Sequence, residues 1–259
     1  MSGVRSPDGP PSGATGDPVK PLHPLRPRYP EGNPVSTTLV AVLTNGRQDC
    51  ITQMMASFEA NVSMDHRFAT YVIFDDSGDP EYRQWLAEAY PEWIVQYVGR
   101  DAQGYNAAMQ TIWRAAEAYG HVFMVEDDFL FTCEINVADM LDVLDTMGLE
   151  QIVLLRQAWF GNEVAAGGLL PALEAMGHSL QRLTNLAYPI IRHRAGWSTN
   201  PNVFRGGSWV RGHPWPRGEG SEYRFGQSLF HTDPSAYVAY WGDGTEYVRH
   251  IGERKGFGY

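Results

Sequence analysis

Cysteine is nearly absent from this chain. Its 259 residues hold two, Cys50 and Cys133, which excludes a disulfide framework and reads as a reduced, cytoplasmic protein. Long apolar runs are missing too. No stretch approaches the roughly 18 to 20 apolar residues that span a bilayer, and the start, MSGVRSPDGP, has no apolar segment of the signal-peptide kind. Basic charge is scarce, with 20 Lys and Arg against 30 Asp and Glu and a formal charge of −10. That balance argues against a nucleic-acid surface, which needs clustered cations to meet phosphates. No GxGxxG follows the first apolar run and no GxxxxGK(S/T) occurs anywhere, which speaks against dinucleotide oxidoreductases and P-loop NTPases. The eight His have no metal-ligand spacing, so no zinc site is expected.

What is there is the material of a globular α/β protein. The chain is 43% hydrophobic and 12% aromatic, enough for a substantial core. Residues 1–35 are the exception. They hold nine of the 17 prolines without apolar periodicity, which predicts a disordered or extended tail. Beyond them, short apolar runs at 37–43, 70–74, 93–98, 121–125 and 151–155 alternate with helical stretches at 49–61, 80–90, 104–119 and 137–147. The runs are nearly continuous in apolar residues, as strands buried on both faces are, and the alternation predicts βαβ units around a mostly parallel sheet. After residue 156 the sequence turns Gly-, Pro- and Trp-rich, with helices predicted at 168–177 and 221–230. This half reads as loops and short elements built over one edge of the sheet.

In an open parallel α/β sheet, ligands bind beyond the carboxyl ends of the strands. The candidate residues are therefore Thr44-Asn45-Gly46-Arg47 after the first run, Asp75-Asp76-Ser77-Gly78-Asp79 after the second, and Glu126-Asp127-Asp128 after the fourth. The last cluster interrupts an otherwise apolar stretch from Val122 to Phe131. Three adjacent carboxylates beside a core are costly without a compensating cation, and a hard divalent ion, Mn2+ or Mg2+, shared with phosphate oxygens supplies one. An acidic triplet with polar neighbours would read as a solvated turn; the apolar flanks argue otherwise.

The remaining candidates carry two readings each. Asp75 and Asp76 sit in a turn whose Asp79 also reads as a helix cap before Pro80, while a carboxylate at that strand end can accept the ring N–H of a uracil. Gly104-Tyr105-Asn106 is either a plain helix start or a set of donors facing a ligand. Glu219 and Glu222 flank the start of the last helix, where they serve its N-terminus or deprotonate an acceptor hydroxyl. His250, alone between apolar neighbours, reads as an ordinary packed residue. Trp197, Trp209, Trp215 and Trp241 either stack on sugar faces or fill the core.

The order of these motifs resembles that of the GT-A glycosyltransferases, in particular the family-2-like enzymes and the bacterial and phage proteins related to them, over residues 37–259. The resemblance implies a Rossmann-like, mostly parallel central sheet flanked by helices. Residues 36–155 would be its nucleotide-sugar-binding half and 156–259 an irregular acceptor-binding and catalytic-base half. Thr44, Asn45 and Arg47 would begin the nucleotide pocket, Asp75 or Asp76 would contact the base, and Gly104 and Asn106 would lie beneath the nucleotide. The family's DxD metal motif is replaced by Glu126-Asp127-Asp128, similar to the EDD variant of N-acetylglucosaminyltransferase I. Asp128 would then bind the metal directly, with Glu126 and Asp127 on the sugar or ribose. His250 matches a C-terminal His that completes the metal shell. Residues 200–205 look like the acceptor-side segment, and Glu222, with Glu219 second, matches the base.

The implied activity is metal-dependent, inverting transfer of a hexosyl or N-acetylhexosaminyl group from a nucleotide diphosphate sugar, a UDP-sugar first, to an acceptor hydroxyl. A protein hydroxyl, a glycan and a lipid-linked sugar are all open as acceptors, and nucleic acid is disfavoured by charge. Two other classes compete. One is a nucleotidyltransferase acting on sugar phosphates, for which no Lys- or Arg-rich phosphate loop is present. The other is a sugar-binding module without catalysis.

Overall fold

Seven consecutive buried residues, Leu-Val-Ala-Val-Leu bracketed by Thr38 and Thr44, form the first strand, and their alternation sets up the whole architecture. Leu39, Ala41 and Leu43 point into one apolar cluster while Val40 and Val42 point into another, because successive strand side chains face opposite sides. In a computed structural model of the chain, which describes residues 38–98 and 104–252, the two clusters cover the two faces of one sheet. The Pro-rich segment expected to be a tail lies outside the described residues.

The first half runs β1 (Thr38–Thr44), α1 (Gln48–Asn61), β2 (Val62–Ser63), β3 (Ala69–Asp75), α2 (Pro80–Ala89), β4 (Ile94–Tyr97), α3 (Tyr105–Ala116), β5 (His121–Glu126), β6 (Phe129–Phe131), β7 (Ile135–Asn136) and α4 (Val137–Thr146). The second half runs β8 (Gln151–Val153), α5 (Gly161–Ala166), α6 (Leu169–Ala175), β9 (Gln181–Leu183), β10 (Ile190–His193), β11 (Asn202–Arg205), α7 (Ser208–Gly212), α8 (Ser221–Thr232), β12 (Val238–Trp241) and β13 (Val248–His250). Nine strands form one sheet in the order β4-β3-β1-β5-β11-β8-β12-β10-β9. Only β10 and β11 run against the rest, so the sheet is mostly parallel, as expected. No helix among the described residues is long and apolar enough to cross a membrane.

The helices follow their sequence signals. Asp79 caps α2, its carboxylate accepting from the Glu81 amide at 2.8 Å, with Pro80 in the first turn. The apolar stripe of α3 buries Ala108, Met109, Ile112, Trp113 and Ala116 against the sheet.

The second half departs from expectation. It is no collection of loops over one edge, since it supplies β9, β10 and β12 to the sheet and inserts β11 between β5 and β8. These strands are three or four residues long, too short for periodicity to single out among glycines and tryptophans. Of residues 200–205, expected to form the acceptor-side segment, Asn202–Arg205 form the buried strand β11.

Candidate active site

The first strand ends in a turn that aims two side chains at the acidic turn following β5, the strand beside it in the sheet. Gly46, with φ at 95°, turns the chain so tightly that a Cβ there would stand 3.2 Å from that of Ser77. Arg47 follows as the residue before α1, with no side-chain cap bond of its own. Thr44 Oγ1 donates to Asp127 Oδ2 at 2.7 Å and pairs with the Tyr82 hydroxyl at 2.6 Å. The Arg47 guanidinium forks across both aspartates, Nη1 donating to Asp128 Oδ2 at 2.6 Å and Nη2 to Asp127 Oδ1.

The acidic turn is held from the other side by β13. Its register with β6 sets His250 opposite Phe129, so that His250 Nε2 lies 3.4 Å from Asp128 Oδ2. The ring is wedged between Phe129 and Trp159, at centroid distances of 4.7 and 4.2 Å. The Ile251 amide donates to the Asp128 carbonyl at 2.8 Å, and a Cβ on Gly252 would collide with Asp128 Oδ2. Glycine is required there by close approach.

Glu126 and Glu222 meet from opposite halves. The antiparallel register of β11 on β5 pairs Asn202 with Met124, which carries the preceding Thr199 alongside the acidic turn. The Thr199 amide donates to Glu222 Oε1 at 2.8 Å, and its hydroxyl accepts from Tyr105 at 3.0 Å and reaches Glu126. Glu222 stands in the first turn of α8, whose N-cap is the left-handed Gly220 rather than a side chain. Glu219 lies exposed in the preceding loop.

Burial divides the four acids. Desolvation, with the charges of Asp128 and Glu222 close by, pushes Glu126 well above the usual carboxylate range. Burial raises Glu222 as well, against the Thr199 amide that favours its ionised form. It also lifts Asp127 to about 6 despite Arg47. Asp128 is buried too, yet His250 and Arg47 together hold it below the ordinary value.

The other expected residues divide between lining and support. A cleft of about 180 Å³ is lined by Leu43, Thr44, Asn45, Arg47, Asp76, Gly104, Tyr105, Glu126 and Asp127. Asp76 takes the Gly104 amide on both oxygens at 3.0 Å and faces this cleft. Asp75 does not: it is fully buried, with Ser77 N and Arg83 Nε on its two oxygens at 2.9 and 3.1 Å. Asn106 reaches away from the cleft lining, donating to the Gly218 carbonyl at 2.8 Å and tying α3 to the loop that leads to Glu222. The tryptophans singled out for sugar stacking are packing residues. Trp197, Trp215 and Trp241 are about 5–6% exposed, and Trp209 stacks on Trp197 at 5.6 Å.

Sequence reasoning missed Tyr82, Tyr105, Trp159, Thr199 and Gly252. Gly252 alone carried a signal, as the glycine two residues after His250. The others are placed by long-range packing.

Among the described residues no three His, Cys, Asp or Glu side chains gather into a ready-made metal cage. A hard divalent ion that keeps substrate phosphates and waters in its shell needs only one or two protein ligands. Asp128 and His250 fit that role: Asp128 Oδ1 and His250 Nδ1 are buried polar atoms with no hydrogen-bond partner.

No protein-family model matches this chain, and no curated protein does. Solved structures do resemble it. The mannosyltransferase PcManGT from Pyrobaculum calidifontis, in complex with GDP-Man and Mn2+, is 14% identical with a TM-score of 0.59 over 89% of this chain and 60% of that one. TarS 1-349 of S. aureus in complex with UDP-GlcNAc is 13% identical at a TM-score of 0.56, covering 85% of this chain and 60% of that one. GalNAc-T7 with UDP, GalNAc and Mn2+ is 10% identical at 0.59, covering 89% and 46%. The chain thus spans three fifths or less of the length of each. These neighbours are glycosyltransferases, and the architecture the chain shares with them, a large mostly parallel sheet flanked by helices, is the GT-A fold.

Proposed function

We propose that this protein is an inverting, divalent-cation-dependent glycosyltransferase that takes a hexosyl or N-acetylhexosaminyl group from a UDP-sugar and places it on an acceptor hydroxyl. The observation that carries the reading is the convergence of a buried acidic turn, at the carboxyl end of β5, with a cleft of about 180 Å³ on one side and the raised carboxylate Glu222 on the other. Similarity of fold to enzymes solved with GDP-Man, UDP-GlcNAc and UDP supports it.

In this reading Thr44, Asn45 and Arg47 form the floor of the nucleotide pocket, and Asp76 receives the base, with Gly104 held against it. Asp128 and His250 hold the cation, which when bound neutralises charge on the departing diphosphate. Asp127 and Glu126 face the sugar or ribose. Glu222 removes the proton from the attacking hydroxyl, and its pKa, raised by burial, suits a base working nearer neutrality than an ordinary carboxylate. Asn106 acts at a distance, fixing the loop before α8.

The test is calorimetric titration of UDP, GDP, dTDP and their sugars, with and without Mn2+, on the wild type and on Asp128→Asn. Metal-dependent binding of a UDP-sugar, lost in the variant, is the expected outcome. Absence of binding by every nucleotide under every condition would overturn the reading, and pyrophosphate release from a nucleoside triphosphate would replace it with nucleotidyl transfer.

A further inference from the structure

The acidic turn already has a cation, and it belongs to the protein. Arg47 does not pair with one carboxylate in the common two-pronged way. It spreads its two terminal nitrogens over two different aspartates, Nη1 on Asp128 and Nη2 on Asp127, which is the position a single bridging cation would take. The Asp128 side chain beneath it is fully buried. His250 Nε2 and Arg47 Nη1 converge on the same oxygen, Oδ2, while Oδ1 has no partner at all. Arg47 is left incomplete as well: its Nε is buried without an acceptor.

The position of Arg47 gives its side chain an outlet to the cleft. It stands at the junction of β1 and α1, behind the left-handed Gly46, keeps about a quarter of its side chain exposed (27%), and lines the cleft. A divalent ion approaching Asp127 and Asp128 meets this guanidinium first. Displaced alone, Arg47 would have no anion to pair with, and the ion would bind weakly. A diphosphate arriving alone would face three carboxylates with one cation among them. Arriving together, the ion takes Asp128 and the diphosphate takes the guanidinium, so that neither arrives without a counter-charge.

We infer that Arg47 is an internal counter-cation. It occupies the cation seat at Asp128, with Asp127 beside it, while the cleft is empty and passes to the donor's diphosphate when a divalent ion displaces it, making ion and diphosphate binding mutually dependent. The inference rests on the nucleotide-sugar reading for the identity of the diphosphate, and on the observed ion pairs for everything else. Coupling of this kind is reciprocal: whatever factor the diphosphate adds to ion affinity, the ion adds to diphosphate affinity.

The experiment titrates Mn2+ alone, followed by its electron paramagnetic resonance signal, and then Mn2+ with inorganic pyrophosphate, a probe that carries neither base nor sugar. In the wild type, pyrophosphate should tighten Mn2+ binding. In Arg47→Gln, Mn2+ alone should bind about tenfold tighter than in the wild type, because a neighbouring unit charge is gone, and the tightening by pyrophosphate should shrink towards none. Arg47→Lys keeps the charge but cannot fork across two carboxylates; it should fall between the two and stands in if the Gln variant does not fold. Mn2+ binding in both variants no tighter than wild type, or none in any protein, overturns the inference. A parallel arm with UDP- and GDP-sugars separates the two readings. Coupled Mn2+ and pyrophosphate binding without sugar-nucleotide binding leaves Arg47 in this role and removes the donor assignment. Sugar-nucleotide binding with Mn2+ that is identical in wild type and Arg47→Gln does the reverse.

Discussion

Two pairs of carboxylates, three of them buried and Glu222 half-buried, meet at the end of β5, and they are compensated in opposite ways. Asp127 and Asp128 lie under a guanidinium and beside an imidazole. Glu126 and Glu222 form no ion pair among the described residues; Thr199 gives the Glu222 carboxyl a backbone amide and reaches Glu126 with its hydroxyl. An ionised carboxylate in the interior needs a cation or several donors, and without them it keeps its proton. On the proposed reading the difference is a division of labour, in which the charged pair serves the cation and the uncharged pair holds and releases a proton.

The charged pair breaks hardest. Asp128→Asn removes the carboxylate that both Arg47 and His250 engage, and should lower transfer by about 10³-fold or more, the several kcal/mol that a metal supplies, while abolishing the Mn2+ dependence of nucleotide binding. Initial rates and calorimetry measure both. Unchanged Mn2+ dependence would put the cation elsewhere and erase the distinction between the pairs.

Glu222→Gln tests the other side. It should leave donor affinity as it is and lower kcat by about 10²- to 10⁴-fold, the usual contribution of a general base. In the wild type the rate should fall as pH drops through a value above the ordinary carboxylate one, since the base must be ionised and burial raises its pKa; because Glu126 interacts with it, the limb belongs to the pair. The variant should lose that limb. Stability runs the opposite way: with folded pKa values above unfolded ones, the neutral pair contributes fully below the unfolded value and loses its contribution as pH rises through the folded one. The Tm of Glu222→Gln should therefore decline less than that of the wild type as pH is raised to neutrality.

A steric change sharpens the contrast without touching charge. In Gly252→Ala the added Cβ falls against Asp128 Oδ2, with His250 Cε1 at 3.0 Å and Arg47 Nη1 at 3.1 Å. Overpacking of this kind costs about 1–3 kcal/mol, so Mn2+ affinity should weaken about tenfold, while the pH limb owed to Glu222 stays where it is. A normal Mn2+ affinity in this variant would mean that the seat lies away from Asp128 Oδ2.

How much of this contrast the amino-acid sequence announces differs between the halves. Residues 38–44 and 121–126 are continuous apolar runs ending in polar clusters, and strand, strand end and acidic turn are all legible from that local pattern. The cation is not. Three carboxylates signal that something positive must compensate them, but that Arg47 does so depends on β1 and β5 being neighbours in register, Leu43 beside Glu126. In the second half local pattern finds the helices α6 and α8 but none of the strands after β8. Asn202-Val203-Phe204-Arg205 gives no hint of running antiparallel between two strands, yet that insertion is what brings Thr199 to the acidic turn. The four tryptophans mislead for a related reason, since an aromatic ring that packs a core and one that stacks on a ligand are written with the same letter.

The smallest effect probes the hinge between the two pairs. Thr199→Val keeps the backbone amide that donates to Glu222 and deletes the hydroxyl that receives Tyr105 and reaches both Glu126 and Glu222. Losing one such bond costs about 1 kcal/mol, so Tm should drop by a few degrees and kcat should change by less than about tenfold. The direction of the pH shift carries the argument. The Thr199 hydroxyl favours the ionised forms of both Glu126 and Glu222 against burial; without it both acids hold their protons to higher pH, and the acidic limb of the rate should move up. A limb that stays put would show that the base does not depend on this hydroxyl. A loss of rate as large as that of Glu222→Gln would instead make the hydroxyl itself the group that hands the proton on.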